Sequence, residues 1–246
     1  MGAMRLRLGL LVVVVTLASC TASAGESPSA TVVLFDVSNS TLTDSVRARY
    51  DETFGMVLAH LREGGGVLGA DVIDDNPLVH GSLPVNETFE PCTINDNSLE
   101  CRSALDEQET GVRGEAAAIL ETSSRGTDIF GALALAEQFL EAYPDAGERT
   151  IVLLSDMVQS ANGMHLGKVE AWTEAEISAH LARSPRMDLS GARVYVVGAG
   201  ATTLAQMTPA QIQGIERFWT RWFEQMGASV AFYGANLARF PITGTG

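Results

Sequence analysis

TVVLFD, residues Thr31 to Asp36, is an unbroken run of β-branched and large apolar side chains that ends in an acid. A strand with one wet face alternates apolar and polar residues, so a run without alternation predicts a strand covered on both faces, as in a parallel sheet. RTIVLLSD, Arg149 to Asp156, repeats that layout and again delivers an aspartate at its C-terminal end. Val67 to Ile73, Arg193 to Gly198 and Ser229 to Tyr233 read as further strands. The segments between them have helical spacing. Asp44 to Arg62 carries Val46, Tyr50, Phe54, Val57, Leu58 and Leu61 at that spacing and stops at Gly64-Gly65-Gly66. Asp128 to Tyr143 has a stripe of Ile129, Leu133, Ala136 and Leu140, with Pro144 just past its end. Pro209 to Met226 places Ile212, Ile215, Trp219, Trp222 and Met226 on one face, which reads as core. Arg102 to Glu121 and Glu170 to Ala182 read as helices too. Strands that alternate with helices predict an α/β fold: a single doubly wound, mostly parallel sheet with helices on both faces. Residues 74 to 101 are expected to be irregular, with one edge strand around Leu78 to Leu83. No internal repeat or second domain boundary interrupts the 246 residues.

The first 19 residues are set apart from this fold. Arg5 and Arg7 precede the apolar run Leu8 to Leu17, the charge-then-apolar layout of an export signal, and the run is too short for a comfortable membrane span. It ends in Leu17-Ala18-Ser19-Cys20, which resembles the lipobox of bacterial lipoproteins. That resemblance implies acylation at Cys20 and cleavage before it. Residues 20 to 30, rich in Ser, Ala, Gly and Pro, then read as a flexible tether, and 31 to 240 as the folded domain. The expected place is the bacterial cell envelope, exported and held on a membrane by lipid alone, on the outer membrane or the outer face of the plasma membrane. Thr21 is not the aspartate by which that family is retained at the inner membrane.

The formal charge of the chain is -14. Two of its 16 basic residues, Arg5 and Arg7, lie in the leader, which leaves 14 against 30 acidic ones. A surface so acidic repels nucleic acid and anionic lipid, and excludes both as expected partners. Export bears on the cysteines, because Cys92 and Cys101 would sit where disulfides persist. They bracket a polar segment, Thr93 to Glu100, and are expected to pair; eight intervening residues do not suit a thiol-redox motif, which has two. The four histidines, His60, His80, His165 and His180, show no zinc-like spacing.

In an open α/β sheet the ligand site lies outside the carboxyl ends of the strands, where both strand-terminal aspartates fall. The first continues as Asp36-Val37-Ser38-Asn39-Ser40, which resembles the D-x-S-x-S motif opening the metal-ion-dependent adhesion site of von Willebrand factor A and integrin I domains. In that family a threonine ahead of a helix follows, matched by Gly126-Thr127-Asp128, and then a strand-end aspartate, matched by Leu153-Leu154-Ser155-Asp156. The resemblance covers about residues 31 to 235. It implies that Ser38, Ser40 and Thr127 touch a magnesium or manganese ion directly, while Asp36 and Asp156 hold its waters. It also implies that a carboxylate from a protein or peptide partner takes the remaining position. Hydroxyl and carboxylate oxygens are the hard ligands such ions prefer. The chain departs from the family in placing Met157 where a glycine usually follows the last aspartate.

Other readings fare worse. A phosphatase of the haloacid dehalogenase type needs a second acid two positions after the first, and that position is Ser38. A dinucleotide site at Gly198-Ala199-Gly200 lacks its third glycine, replaced by Thr203. A solute-binding lipoprotein is the non-catalytic alternative, though it would usually need two lobes and a hinge. The expectation is a binding module rather than an enzyme.

Overall fold

A computed structural model describes residues 28–41, 43–200 and 207–241. The leader, Cys20, most of the tether and Thr203 lie outside the described residues. The chain forms an α/β fold around one six-stranded sheet. Its elements are β1 (Ser29–Asp36), α1 (Asp44–Gly64), β2 (Gly66–Ile73), β3 (Val85–Phe89), α2 (Ser98–Leu120), α3 (Ile129–Glu141), β4 (Glu148–Leu154), α4 (Glu174–Arg183), β5 (Ala192–Val197), α5 (Pro209–Gln225) and β6 (Ser229–Gly234). The strand order is β3-β2-β1-β4-β5-β6, and every neighbouring pair is parallel except β2 with β3.

The apolar runs are explained by two cores. Along β1, Val32 and Leu34 point into one, while Val33 and Phe35 point into the other. Helices α3, α4 and α5 close the first core, with Leu133, Ile177 and Trp219 fully buried in it. Helices α1 and α2 close the second through Phe54, Leu58, Leu61 and Leu105. The aromatic face of α5 is core as its spacing implies, and Trp219 Nε1 finds the Met157 carbonyl at 2.9 Å, so its polar atom costs nothing in burial.

The region 74–101 departs from expectation. Leu78 lies in a short 3-10 turn, Pro77–His80, rather than in a strand. Proline suits the first residue of such a turn because its fixed φ fits and its missing N–H is not needed there. The edge strand is β3, where Val85 and Phe89 are buried and Asn86 and Thr88 exposed. Helix α2 also begins earlier than predicted. Asn97 caps it by accepting from Leu99 N, so Cys101 falls in its first turns. Cys92 and Cys101 form a disulfide with their Cα atoms 5.9 Å apart. The bond therefore ties the end of the antiparallel edge strand to a helix start. Phe89 pairs with Gly66, the first residue of β2, so the disulfide stands at the end of the sheet opposite the carboxyl edge.

Candidate functional site

Strands β1 and β4 are adjacent, with Phe35 beside Leu154 in register. The chain leaves β1 toward β2 on one side and reaches β4 on the other, so the order reverses between them. At such a switch point the connecting loops part and leave a crevice at the carboxyl edge. Asp36 ends β1, and Asp156 lies two residues past the end of β4.

The loop after β1 is held by its own polar groups. Asp36 Oδ1 accepts from Ser38 N at 2.9 Å, and Thr41 Oγ1 donates to the carbonyls of Asp36 and Ser38 at 2.7 and 2.8 Å. These bonds turn Ser38 and Ser40 back over the strand end. The two hydroxyls meet at 3.1 Å, and Ser40 Oγ donates to Asp156 Oδ2 at 2.9 Å. Asp156 Oδ1 accepts from Val158 N at 3.0 Å. Four of the five sequence-predicted residues, Asp36, Ser38, Ser40 and Asp156, are thus brought into one hydrogen-bonded group.

Thr127 reaches the same edge by another route. Ser124 N donates to the Val37 carbonyl at 3.0 Å, forming a parallel bridge between Ser38 and Ser124. Thr127 N donates to Ser160 Oγ, and Ser160 N returns a bond to the Thr127 carbonyl, both at 3.0 Å. Among the described residues its side-chain hydroxyl makes no hydrogen bond, to the other four or elsewhere.

Burial and charge define the electrostatics. Asp36 is 2% exposed and Asp156 4%. Burial pushes the Asp36 carboxyl up to about 7, and the Asp156 carboxylate pushes the same way; hydrogen bonds from Ser155 and Ser38 offset part of this. Burial also carries the Tyr50 hydroxyl well above its usual range, helped by Asp36 and Asp156. Among the described residues no basic side chain hydrogen-bonds to Asp36.

Three participants went unassigned in the sequence. Ser155 donates to Asp36 Oδ2 at 2.6 Å and accepts from Met157 N at 2.9 Å, fastening the two strand ends together. Its only signal was its place before the strand-end aspartate. Tyr50 comes from α1, and Gly198 from the end of β5, where a Cβ would lie 3.1 Å from the Ser155 carbonyl and 3.2 Å from the Tyr50 ring. Met157 has a left-handed backbone at φ 66, a conformation that glycine adopts at little cost and that costs other residues about 1 kcal/mol or more. Its side chain is fully buried. Packing therefore holds the chain in the shape that glycine would take freely.

The donor set suits a hard divalent cation, because it offers carboxylate and hydroxyl oxygens where a second charge of the same sign raises the cost of burial. Among the described residues no three His, Cys, Asp or Glu are placed to hold a metal, so an ion here would depend on the hydroxyls as well as on the two carboxylates. Comparison with protein-family models finds none that matches the chain, and comparison with curated proteins finds none similar to it. Among the described residues no helix is long and apolar enough to cross a membrane. The disulfide points to an extracytoplasmic compartment, where such bonds persist.

Proposed function

We propose that this chain is a membrane-anchored, divalent-metal-dependent binding module of the von Willebrand factor A type, lipidated at Cys20 and recognising a protein or peptide through an acidic group. The observation that carries the reading is the chain of bonds Ser38–Ser40–Asp156 beside Asp36, two buried acids with hydroxyl and amide donors and, among the described residues, no base hydrogen-bonded to Asp36. Ser38, Ser40 and Thr127 would touch magnesium or manganese, and Asp36 and Asp156 would orient its waters. The ion would supply a local positive charge on an acidic protein, which is what a partner's carboxylate needs in order to approach. Ser155 and Thr41 hold the ligand loop in place, and Ser160 holds the backbone of Thr127.

Calorimetry with magnesium and with manganese tests this. The expected result is saturable binding that Ser38→Ala and Thr127→Ala abolish, with Asp156→Ala weakening it about tenfold to a hundredfold. The fold should survive each change, because these groups sit on loops above the sheet. No heat at millimolar metal, or unaltered binding by Ser38→Ala, overturns the reading.

A further inference from the structure

Next to the candidate metal centre the structure has a double cleft that the metal chemistry does not use. Its first half begins at Asp128, the residue after Thr127, and encloses about 370 Å³ walled by Leu78, Phe130, Met164, Pro185 and Met187. Leu78 is 51% exposed at its rim, an apolar group presented to solvent. The Asp128 carboxylate lines this half but is itself satisfied, accepting from Gln159 Nε2 at 3.0 Å and Asn162 Nδ2 at 2.6 Å. Gly131 belongs to the same wall, and a Cβ there would collide with that carboxylate and crowd Pro77 at 3.1 Å.

The second half encloses about 390 Å³ and shares Asn162, Met164 and Arg183 with the first. His165, Lys168, His180 and Arg183 line it, and among the described residues no Asp or Glu does. That composition is opposite to the rest of a chain with 30 acids. Lys168 is the chain's single lysine. Among the described residues neither Lys168 nor Arg183 pairs with a carboxylate, whereas Arg62, Arg113, Arg193, Arg217 and Arg221 all do. Arg183 Nε donates to the Ala179 carbonyl at 3.2 Å, which steadies the side chain without neutralising it. His180 turns its Nδ1 to the Glu176 carbonyl at 2.9 Å and lies 3.8 Å from the Glu176 carboxylate, so Lys168 and Arg183, with the His165 ring beside them, are the groups left to take an anion.

We propose that this double cleft is a specificity site for the partner, taking a large apolar side chain in the Leu78–Phe130–Met187 half and the carboxylate that follows it on Lys168 and Arg183. The segment from Gln159 to Val169, which lines parts of both halves, begins three residues after Asp156, and Ser160 bonds the backbone of Thr127, so the cleft adjoins the candidate metal loops along the chain. The inference rests on the reading of the domain as a module for acidic partners, but the cleft itself needs no metal. Charge complementarity selects the occupant: an apolar residue followed by an acid fits both halves, whereas a basic segment is repelled by Lys168 and Arg183.

The test is a ligand-observed NMR titration of the full chain with three blocked dipeptides: N-acetyl-Phe-Glu-amide, N-acetyl-Phe-Gln-amide and N-acetyl-Ala-Glu-amide. The first should bind saturably, and the other two about tenfold more weakly or worse, since each removes one half of the recognition. Lys168→Gln, Arg183→Gln and Leu78→Asp should each weaken the first dipeptide about fivefold or more. Their thermal unfolding should be unchanged, because all three side chains are exposed. Binding should persist in chelator, which separates this site from the metal centre; if calorimetry shows no metal binding while the dipeptide still discriminates, the metal reading falls and the cleft stands. Equal binding of the three probes, indifference to Lys168→Gln and Arg183→Gln, or loss of binding in chelator overturns the proposal.

Discussion

Asp36 and Asp71 occupy neighbouring strands near the carboxyl edge and are equally hidden, at 2% and 1% exposed, yet they live in opposite electrostatic settings. Burial raises both carboxyls above their ordinary range. Asp71 is answered by a base: His80 Nδ1 lies 2.7 Å from its Oδ2, and His80 Nε2 lies 3.2 Å from Asp74 Oδ2. A protonated imidazole donates from both nitrogens, so one ring pins the Pro77–His80 turn to β2 through two charge-assisted bonds. Asp36 is answered by hydroxyl and amide donors and faced by a second acid. A buried carboxylate with a counter-charge inside the fold is complete, whereas one without it is costly until a cation arrives from outside. This contrast separates an acid that serves the structure from one suited to a ligand.

The largest expected effect tests the Asp36 side of the contrast. Its carboxyl holds its proton more tightly in the folded chain, with a value of about 7 against an ordinary 3.8. The metal-free protein should therefore lose stability as pH rises from about 4 through 7, by on the order of 4 kcal/mol from this group alone. Urea unfolding in chelator at several pH values measures the slope. Asp36→Asn should remove most of it, and saturating magnesium should flatten it in the unaltered chain. A slope that survives Asp36→Asn belongs to other groups and ends the comparison.

The disulfide supplies a control on both acids. It closes a loop of nine-residue separation at the opposite end of the sheet, for which the chain-entropy model gives a stabilisation of about 2 to 3 kcal/mol. Cys92→Ser with Cys101→Ser should lower stability by that amount while leaving magnesium affinity and the pH slope of Asp36 unaltered. A change in metal affinity on reduction would show that the two ends of the sheet are coupled.

The smallest effect is on the compensated acid. His80→Ala leaves Asp71 buried without its base, at a cost of about 2 kcal/mol. His80 has its pKa raised, since the bonds and charges of Asp71 and Asp74 outweigh burial. Its contribution is thus fully present below its ordinary 6.5 and fades as pH rises through the raised value. The gap between the unaltered protein and His80→Ala should be widest near pH 6 and narrow in alkali. A gap independent of pH would mean that His80 acts by packing rather than by charge.

Much of the fold was legible because the physics is local to each segment. TVVLFD and RTIVLLSD bury side chains on both faces, as a strand covered on both sides requires, and each run is too short to read as a helix. The α5 stripe repeats at helical spacing, and its aromatics are core. The region before α2 was harder, since Val85–Phe89 has two buried residues in five and no long alternation, while Leu78 and Val79 mimic strand residues yet stand exposed on a turn. Its form is decided by β2, whose free edge supplies the hydrogen bonds that β3 completes.

The candidate site divides the same way. Asp36, Ser38, Ser40, Thr127 and Asp156 could be picked out in the sequence because strand ends and helix starts are local features, and the charge-then-apolar layout of residues 1 to 19, read as an export signal, with two further cysteines sufficed to expect the disulfide. Which donors surround each acid could not be read there. Ser155 reaches Asp36 across 119 positions, Tyr50 approaches from α1 and Gly198 from β5, and His80 finds Asp71 only because a turn folds back over β2. Sequence determined the residue types and the ends of the elements that carry them. Tertiary structure decided the neighbours, because the energy of a buried charge depends on what lies within a few ångströms of it, and strand order sets that distance.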